Sequence, residues 1–119
     1  MANTDESVDA LLPLPPATFH ILLALSAGER HGYAIIQDVE ARTGGELRLS
    51  AGTLYRSIAR MVEQGLIMEV ARRRTREEDE RRRYYRITPF GTTVARAEMS
   101  RLTELVRLAK ASGLTPRTA

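Results

Sequence analysis

The chain has 119 residues, 43% of them hydrophobic, and a formal net charge of +3, which is enough for one domain with a modest core and too little for two. It contains no apolar run of roughly 18 residues, so a transmembrane helix is excluded. Without cysteine there are no disulfides, zinc thiolates or thiol nucleophiles, and a reducing cytoplasm is the expected setting.

The first twelve residues read as a flexible polar leader. Asp5, Glu6 and Asp9 stand where an export signal needs basic and then apolar residues, so secretion is not expected. Pro15-Pro16 suits the first turn of a helix. Phe19, Ile21, Leu22, Leu23 and Leu25 then make 17–27 apolar on most sides, a core helix ended by Gly28. A second helix opens at His31-Gly32-Tyr33, with Tyr33, Ile36 and Val39 at helical spacing, and stops at Gly44-Gly45. Leu47-Arg48-Leu49 alternates as a short strand. Ser50 is the natural N-cap of a third helix over 51–64, with Leu54, Ile58, Met61 and Val62 on one face and Gly65 as its stop. A hairpin follows, with strands at 66–73 and 82–88 rich in Ile67, Val70, Tyr84, Tyr85 and Ile87 and a wholly polar tip at 74–81. Thr88-Pro89 then caps a long helix reaching to about Ser112, and 113–119 is a flexible tail.

This order predicts a mainly α fold with a small β-hairpin: a winged helix-turn-helix domain over 13–88 and a C-terminal dimerisation helix over 89–112. In such a fold the third helix enters the major groove. Its apolar residues take one face and leave Ala51, Gly52, Thr53, Arg56, Ser57 and Arg60 free. Arg56 and Arg60 share a stripe, because residues four apart on a helix are neighbours. The pI of about 9.8 comes from arginine, with Lys110 the sole lysine among 18 basic residues. Arginine's planar fork matches phosphate and guanine edges. An arginine-favouring genome accounts for the same count, so position must decide. In the hairpin, Arg72, Arg73, Arg74 and Arg76 lie beside Arg81, Arg82, Arg83 and Arg86. Glu77-Glu78-Asp79-Glu80 at the tip offsets part of that charge, and the stem serves either phosphates or an internal ladder of ion pairs.

On the last helix Ala95, Met99, Leu102, Val106 and Ala109 form an a/d-type seam flanked by Leu105 and Leu108. It either meets a second copy or folds back on its own domain. Two-fold symmetry in a dimer would match an inverted-repeat operator. Catalysis is not expected. His20 and His31 have no cysteine or paired carboxylates converging on them, and neither a glycine-rich phosphate loop nor a metalloprotease pattern is present. No metal or other cofactor is expected.

Four stretches in order carry a family resemblance: His31-Gly32-Tyr33, Gly52-Thr53-Leu54-Tyr55, Glu63-Gln64-Gly65-Leu66-Ile67, and Arg83-Tyr84-Tyr85-Arg86-Ile87-Thr88 with Gly91. Over roughly 31–91 the chain resembles the PadR family of bacterial transcriptional regulators, in the short subgroup with a single C-terminal helix. The resemblance implies a homodimer that binds double-stranded promoter DNA, and repression relieved by a small molecule or stress signal. With the motif tyrosines included, the candidate DNA-contacting set is Tyr33, Ser50, Gly52, Thr53, Tyr55, Arg56, Ser57, Arg60, Arg72, Arg73, Arg74 and Arg83. The candidate dimerisation set is Ala95, Met99, Leu102, Leu105, Val106 and Ala109. Arg56 stands where many relatives have proline, which bears on the bases read. Some short relatives hold flat aromatic drugs between interface tryptophans, and this chain has no tryptophan. The rival reading is a winged-helix module that binds another protein instead of DNA. Exposed Arg56 and Arg60 distinguish the two.

Overall fold

The computed structural model describes residues 4–70 and 83–117. The elements are α1 (Thr4–Asp9), α2 (Pro16–Ser26), β1 (Arg30–His31), α3 (Gly32–Arg42), α4 (Ala51–Glu63), β2 (Ile67–Val70), β3 (Tyr84–Ile87) and α5 (Pro89–Ala111). Helices dominate, and the three strands form one antiparallel sheet in the order β1-β3-β2.

Helix α2 is the axle of the domain. Ile21, Leu22, Ala24 and Leu25 are at most 1% exposed, and the helix packs against α3, α4, β3 and α5. A helix apolar on nearly every side is stable only when other elements cover it on several sides. Ile35 and Val39 from α3, Leu54, Ile58 and Met61 from α4, and Leu66, Ile67, Tyr85 and Val94 complete the core.

The predicted caps hold the helix starts. The His31 imidazole accepts from the Ala34 amide through Nδ1 at 3.1 Å. Ser50 Oγ accepts from the Thr53 amide at 3.1 Å, and Thr88 Oγ1 from the Gly91 amide at 2.9 Å. Each satisfies an amide that the helix itself cannot. Thr88 does more than cap: its hydroxyl donates to the Gly65 carbonyl at 2.6 Å, and its amide to the Leu66 carbonyl at 3.0 Å. The end of α4 is thereby bonded to the start of α5. Gly91 permits this approach, because a Cβ there would overlap the Leu66 carbonyl and crowd Ile87.

Four expectations change. The leader is not wholly irregular: α1 is helical, Val8 is buried, and Leu11 and Leu12 pack on the core. Its few apolar residues find surface on the domain that the polar majority conceals in sequence. Leu47-Arg48-Leu49 pairs with no strand. Its alternation is real, since Leu49 is buried and Arg48 exposed, but the Leu47 amide donates to Thr43 Oγ1 at 3.0 Å. The third place in the sheet belongs to Arg30–His31, paired with Tyr85 and Tyr84. Val62, expected on the core face of α4, is 42% exposed, because it lies at the margin of that face beyond the reach of the core. The predicted strand portions 66–73 and 82–88 are paired as Ile67–Val70 and Tyr84–Ile87. The tip at 74–81, with Arg72, Arg73 and Arg74, lies outside the described residues.

Candidate nucleic-acid interface

Helix α4 presents two flanks on either side of its buried ridge of Leu54, Ile58 and Met61. On one flank stand Thr53, Arg56, Ser57 and Arg60. Ser50 donates its hydroxyl proton to Thr53 Oγ1 at 3.0 Å, and Arg56 Nη2 reaches the same oxygen at 3.5 Å. Arg56 thus folds back along the first turn, close enough that a Cβ on Gly52 would stand 3.3 Å from its Nη1. Arg56, Ser57 and Arg60 also line a groove of about 330 Å³ whose far wall is Pro15 and Thr18 of the α2 start. Glu63, the only acid on α4, is at its far end.

The other flank carries Tyr55, half exposed. It lines a second groove of about 310 Å³ with Ile58, Ala59, Val62, Glu69, Arg83 and Tyr85. Arg83 there is ion-paired with Glu69 at 3.6 Å across the hairpin. Burial, assisted by the Glu69 carboxylate, raises the Tyr85 hydroxyl above its ordinary value. Tyr33 is 64% exposed at the start of α3. Gly32 beside it is where the first two sequence motifs meet: a Cβ on Gly32 would lie 2.5 Å from the Tyr55 hydroxyl. The candidate set therefore splits. Thr53, Arg56, Ser57 and Arg60 form one polar stripe with Ser50 and Gly52 at its head, whereas Tyr55 and Arg83 belong to the hairpin side. Sequence reasoning missed Pro15 and Thr18, which it took only as part of a helix start.

Helix α5 folds back on its own domain through its first half and leaves most of the seam exposed. Gly91, Val94 and Glu98 are buried against the domain. Glu98, 3% exposed, accepts from Arg101 Nε at 2.6 Å and Nη2 at 3.1 Å, and from the Leu14 amide. Those Arg101 bonds hold its carboxyl below the ordinary carboxylate value, against the opposing effect of burial. Ala95 packs on the core and Ala109 is half-buried. Met99, Leu102, Leu105, Val106 and Leu108 remain 36–64% exposed. Between α2 and α5 the exposed seam borders an apolar groove of about 350 Å³ lined by Phe19, Leu23, Ile87, Ala95 and Met99 among others. It continues past Leu102 and Val106.

No helix among the described residues is long and apolar enough to cross a membrane, and they contain no cluster of His, Asp or Glu able to hold a metal. A helix-turn-helix with a three-stranded sheet, and with Arg56 and Arg60 exposed on its last helix, is the architecture of winged-helix transcriptional regulators. Within that class the chain belongs to the PadR-like family of transcriptional regulators, whose profile matches residues 21–97.

Solved structures agree on the fold. The chain is similar to a transcriptional regulator from Clostridium thermocellum (TM-score 0.68, 24% identity, 97% of this chain and 100% of that one). It is similar also to a PadR family transcription regulator from Clostridium difficile (TM-score 0.67, 20% identity, 82% and 97%). Bacillus subtilis PadR in complex with operator DNA matches with a TM-score of 0.59 at 19% identity, over 73% of this chain and 48% of that one. No curated protein matches the chain.

Proposed function

We propose that this protein is a sequence-specific DNA-binding regulator that represses transcription as a homodimer on an inverted-repeat operator. The observation that carries the reading is the acid-free stripe of Thr53, Arg56, Ser57 and Arg60, its arginines exposed and its Thr53 and Ser57 half-buried, on a helix whose opposite face is buried in the core. Rigid placement of a few arginine and hydroxyl donors is what base-edge recognition requires. The apolar face of α5 supports the dimer, since contiguous exposed apolar residues on a small soluble domain mark an interface. Operator binding by Bacillus subtilis PadR is consistent with the same role here. Relief of repression by an apolar small molecule is supported by the groove between α2 and α5, which opens directly beside the exposed seam.

The test is selection of bound duplexes from a random DNA pool, with the winners re-measured at two salt concentrations. Recovery of an inverted repeat bound by one dimer, with affinity falling steeply as salt rises, is the expected outcome. Salt-sensitive binding without sequence preference refutes specific recognition. No binding even at low salt refutes the DNA-binding reading and favours a protein partner for α4.

A further inference from the structure

The groove between α2 and α4 is lined by cationic and hydroxyl side chains. Its lining is Pro15, Thr18, Arg56, Ser57 and Arg60, all hydrogen-bond donors apart from the proline, with no carboxylate among them. Its far wall is the start of α2, which has no side-chain cap. The first intrahelical bond there is Phe19 N to Pro15 O at 3.1 Å. The amides of Ala17 and Thr18 therefore have no acceptor within the helix, and Pro16 has none to offer. Such a helix start favours an anion through its free amides and the helix dipole.

A second observation points to a ligand independently of the helix end. Thr18 is only 5% exposed, yet its hydroxyl makes no hydrogen bond with any described residue and it lines the groove. No buried side-chain oxygen or nitrogen among the described residues lacks a partner, so this hydroxyl is open to the groove, where a ligand oxygen would accept its proton. Arg60 likewise has no hydrogen-bond or ion-pair partner among the described residues. Arg56, by contrast, is turned toward Thr53 and Gly52 at the head of α4.

We infer that this groove binds a phosphodiester of the operator backbone, held by Arg60, Ser57, the Thr18 hydroxyl and the free amides of α2, while Arg56 is left to read the bases. The inference rests on the DNA-binding reading and divides its labour. The anion chemistry alone would also admit a free phosphate. The backbone is favoured because Arg56 and Arg60 share one groove, which places the anion site beside the exposed face of the recognition helix.

The experiment scans the selected operator with single methylphosphonate substitutions, each removing one backbone charge. Wild-type protein is compared with Arg60→Gln, which is surface-exposed and spares folding, and with Thr18→Val, which keeps the shape and removes the hydroxyl. Thermal melts accompany both. Wild type is expected to lose affinity about tenfold at one phosphate per half-site, an amount typical of a charged hydrogen bond near solvent. Both variants should bind every sequence more weakly by a similar factor, retain the base preference, and be insensitive to that one substitution. Arg60→Gln should also lower the magnitude of the log-log salt slope by about 1 per site.

Undiminished sensitivity at that phosphate in both variants overturns the inference, and so does a changed base preference in Arg60→Gln. Saturation of the Ala17 and Thr18 amide resonances by inorganic phosphate, combined with a flat methylphosphonate scan, assigns the groove to a free phosphate and also overturns it. Failure of wild type to select any duplex removes the regulator reading itself, a result distinct from all of these.

Discussion

Replacing Met99 and Val106 together by glutamate tests the proposed dimer at two exposed points of its seam. The two residues occupy equivalent positions of the α5 seam and are 64% and 51% exposed. Full burial of such a side chain is worth about 1.5–3 kcal/mol. Closing the exposed part of both is therefore worth about 2–3 kcal/mol per protomer, and about twice that across a two-fold interface. Glutamates forfeit this gain and set like charges against each other. At about 1.4 kcal/mol per decade, the dimer dissociation constant should rise at least about a thousandfold. Sedimentation equilibrium at micromolar concentration reads the change, with helical circular dichroism as the check on folding. Because both side chains already face solvent, the dichroism should be unaltered. A double variant that sediments as wild type refutes the placement of the interface on this seam. A wild-type protein that is monomeric at these concentrations refutes the dimer.

Glu98→Gln should destabilise the domain at neutral pH. Glu98 has a folded-state pKa below its ordinary value of 4.5, so its stabilisation is complete above that value and is lost as pH falls through the folded one. The gap between wild type and variant in urea denaturation should accordingly be constant from about pH 6 to 8 and close under acid; a gap independent of pH down to acid contradicts the charge-based account. Gly91→Ala forces a methyl into the Leu66 carbonyl, and overpacking of this kind costs about 1–3 kcal/mol or more; an unchanged melting temperature would show that α5 can move away freely. Gly32→Ala meets only the flexible end of Tyr55 and a Leu54 methyl, so stability should change by less than about 1 kcal/mol while the Tyr55 ring resonances shift markedly. Unshifted resonances would mean the ring is not held over Gly32.

Much of the architecture is legible because local chemistry and tertiary structure agree. Ser50, Thr88 and His31 each cap the helix they precede, and the glycines that end helices take positive φ: Gly65 at 78° and Gly113 at 88°. The buried ridge of α4 follows from the spacing of Leu54, Ile58 and Met61, whereas Val62 needed the tertiary boundary to place it. Two-residue β1 has no periodicity to detect, and its place in the sheet is decided by β3 rather than by Arg30 and His31 themselves. The alternation of Leu47 and Leu49 reports burial truthfully and pairing falsely. Of the candidate site, the arginines of α4 are visible by spacing. Thr18 is not, because its significance lies in an unmet hydroxyl facing a helix distant in sequence. The uncapped Pro15-Pro16 start was the available clue. For Glu98, nothing in a helix rich in charged residues marks one carboxylate as buried.

Strand β3 ends at Ile87 and α5 begins at Pro89, with Thr88 bonded to both Gly65 and Leu66 between them. This leaves no joint between sheet and helix. The far half of α5 consequently acts as a lever whose fulcrum is the end of α4. Any tilt imposed at its tip is delivered to Thr88, and through the Gly65 and Leu66 carbonyls to the last turn of the helix that carries Arg56 and Arg60. A slack tether would let two copies settle on half-sites of differing separation. A lever without a hinge admits a single pitch, so in the proposed dimer inserting one residue near Leu102 would rotate the outer arm by about 100° and throw the paired α4 helices out of phase with the duplex.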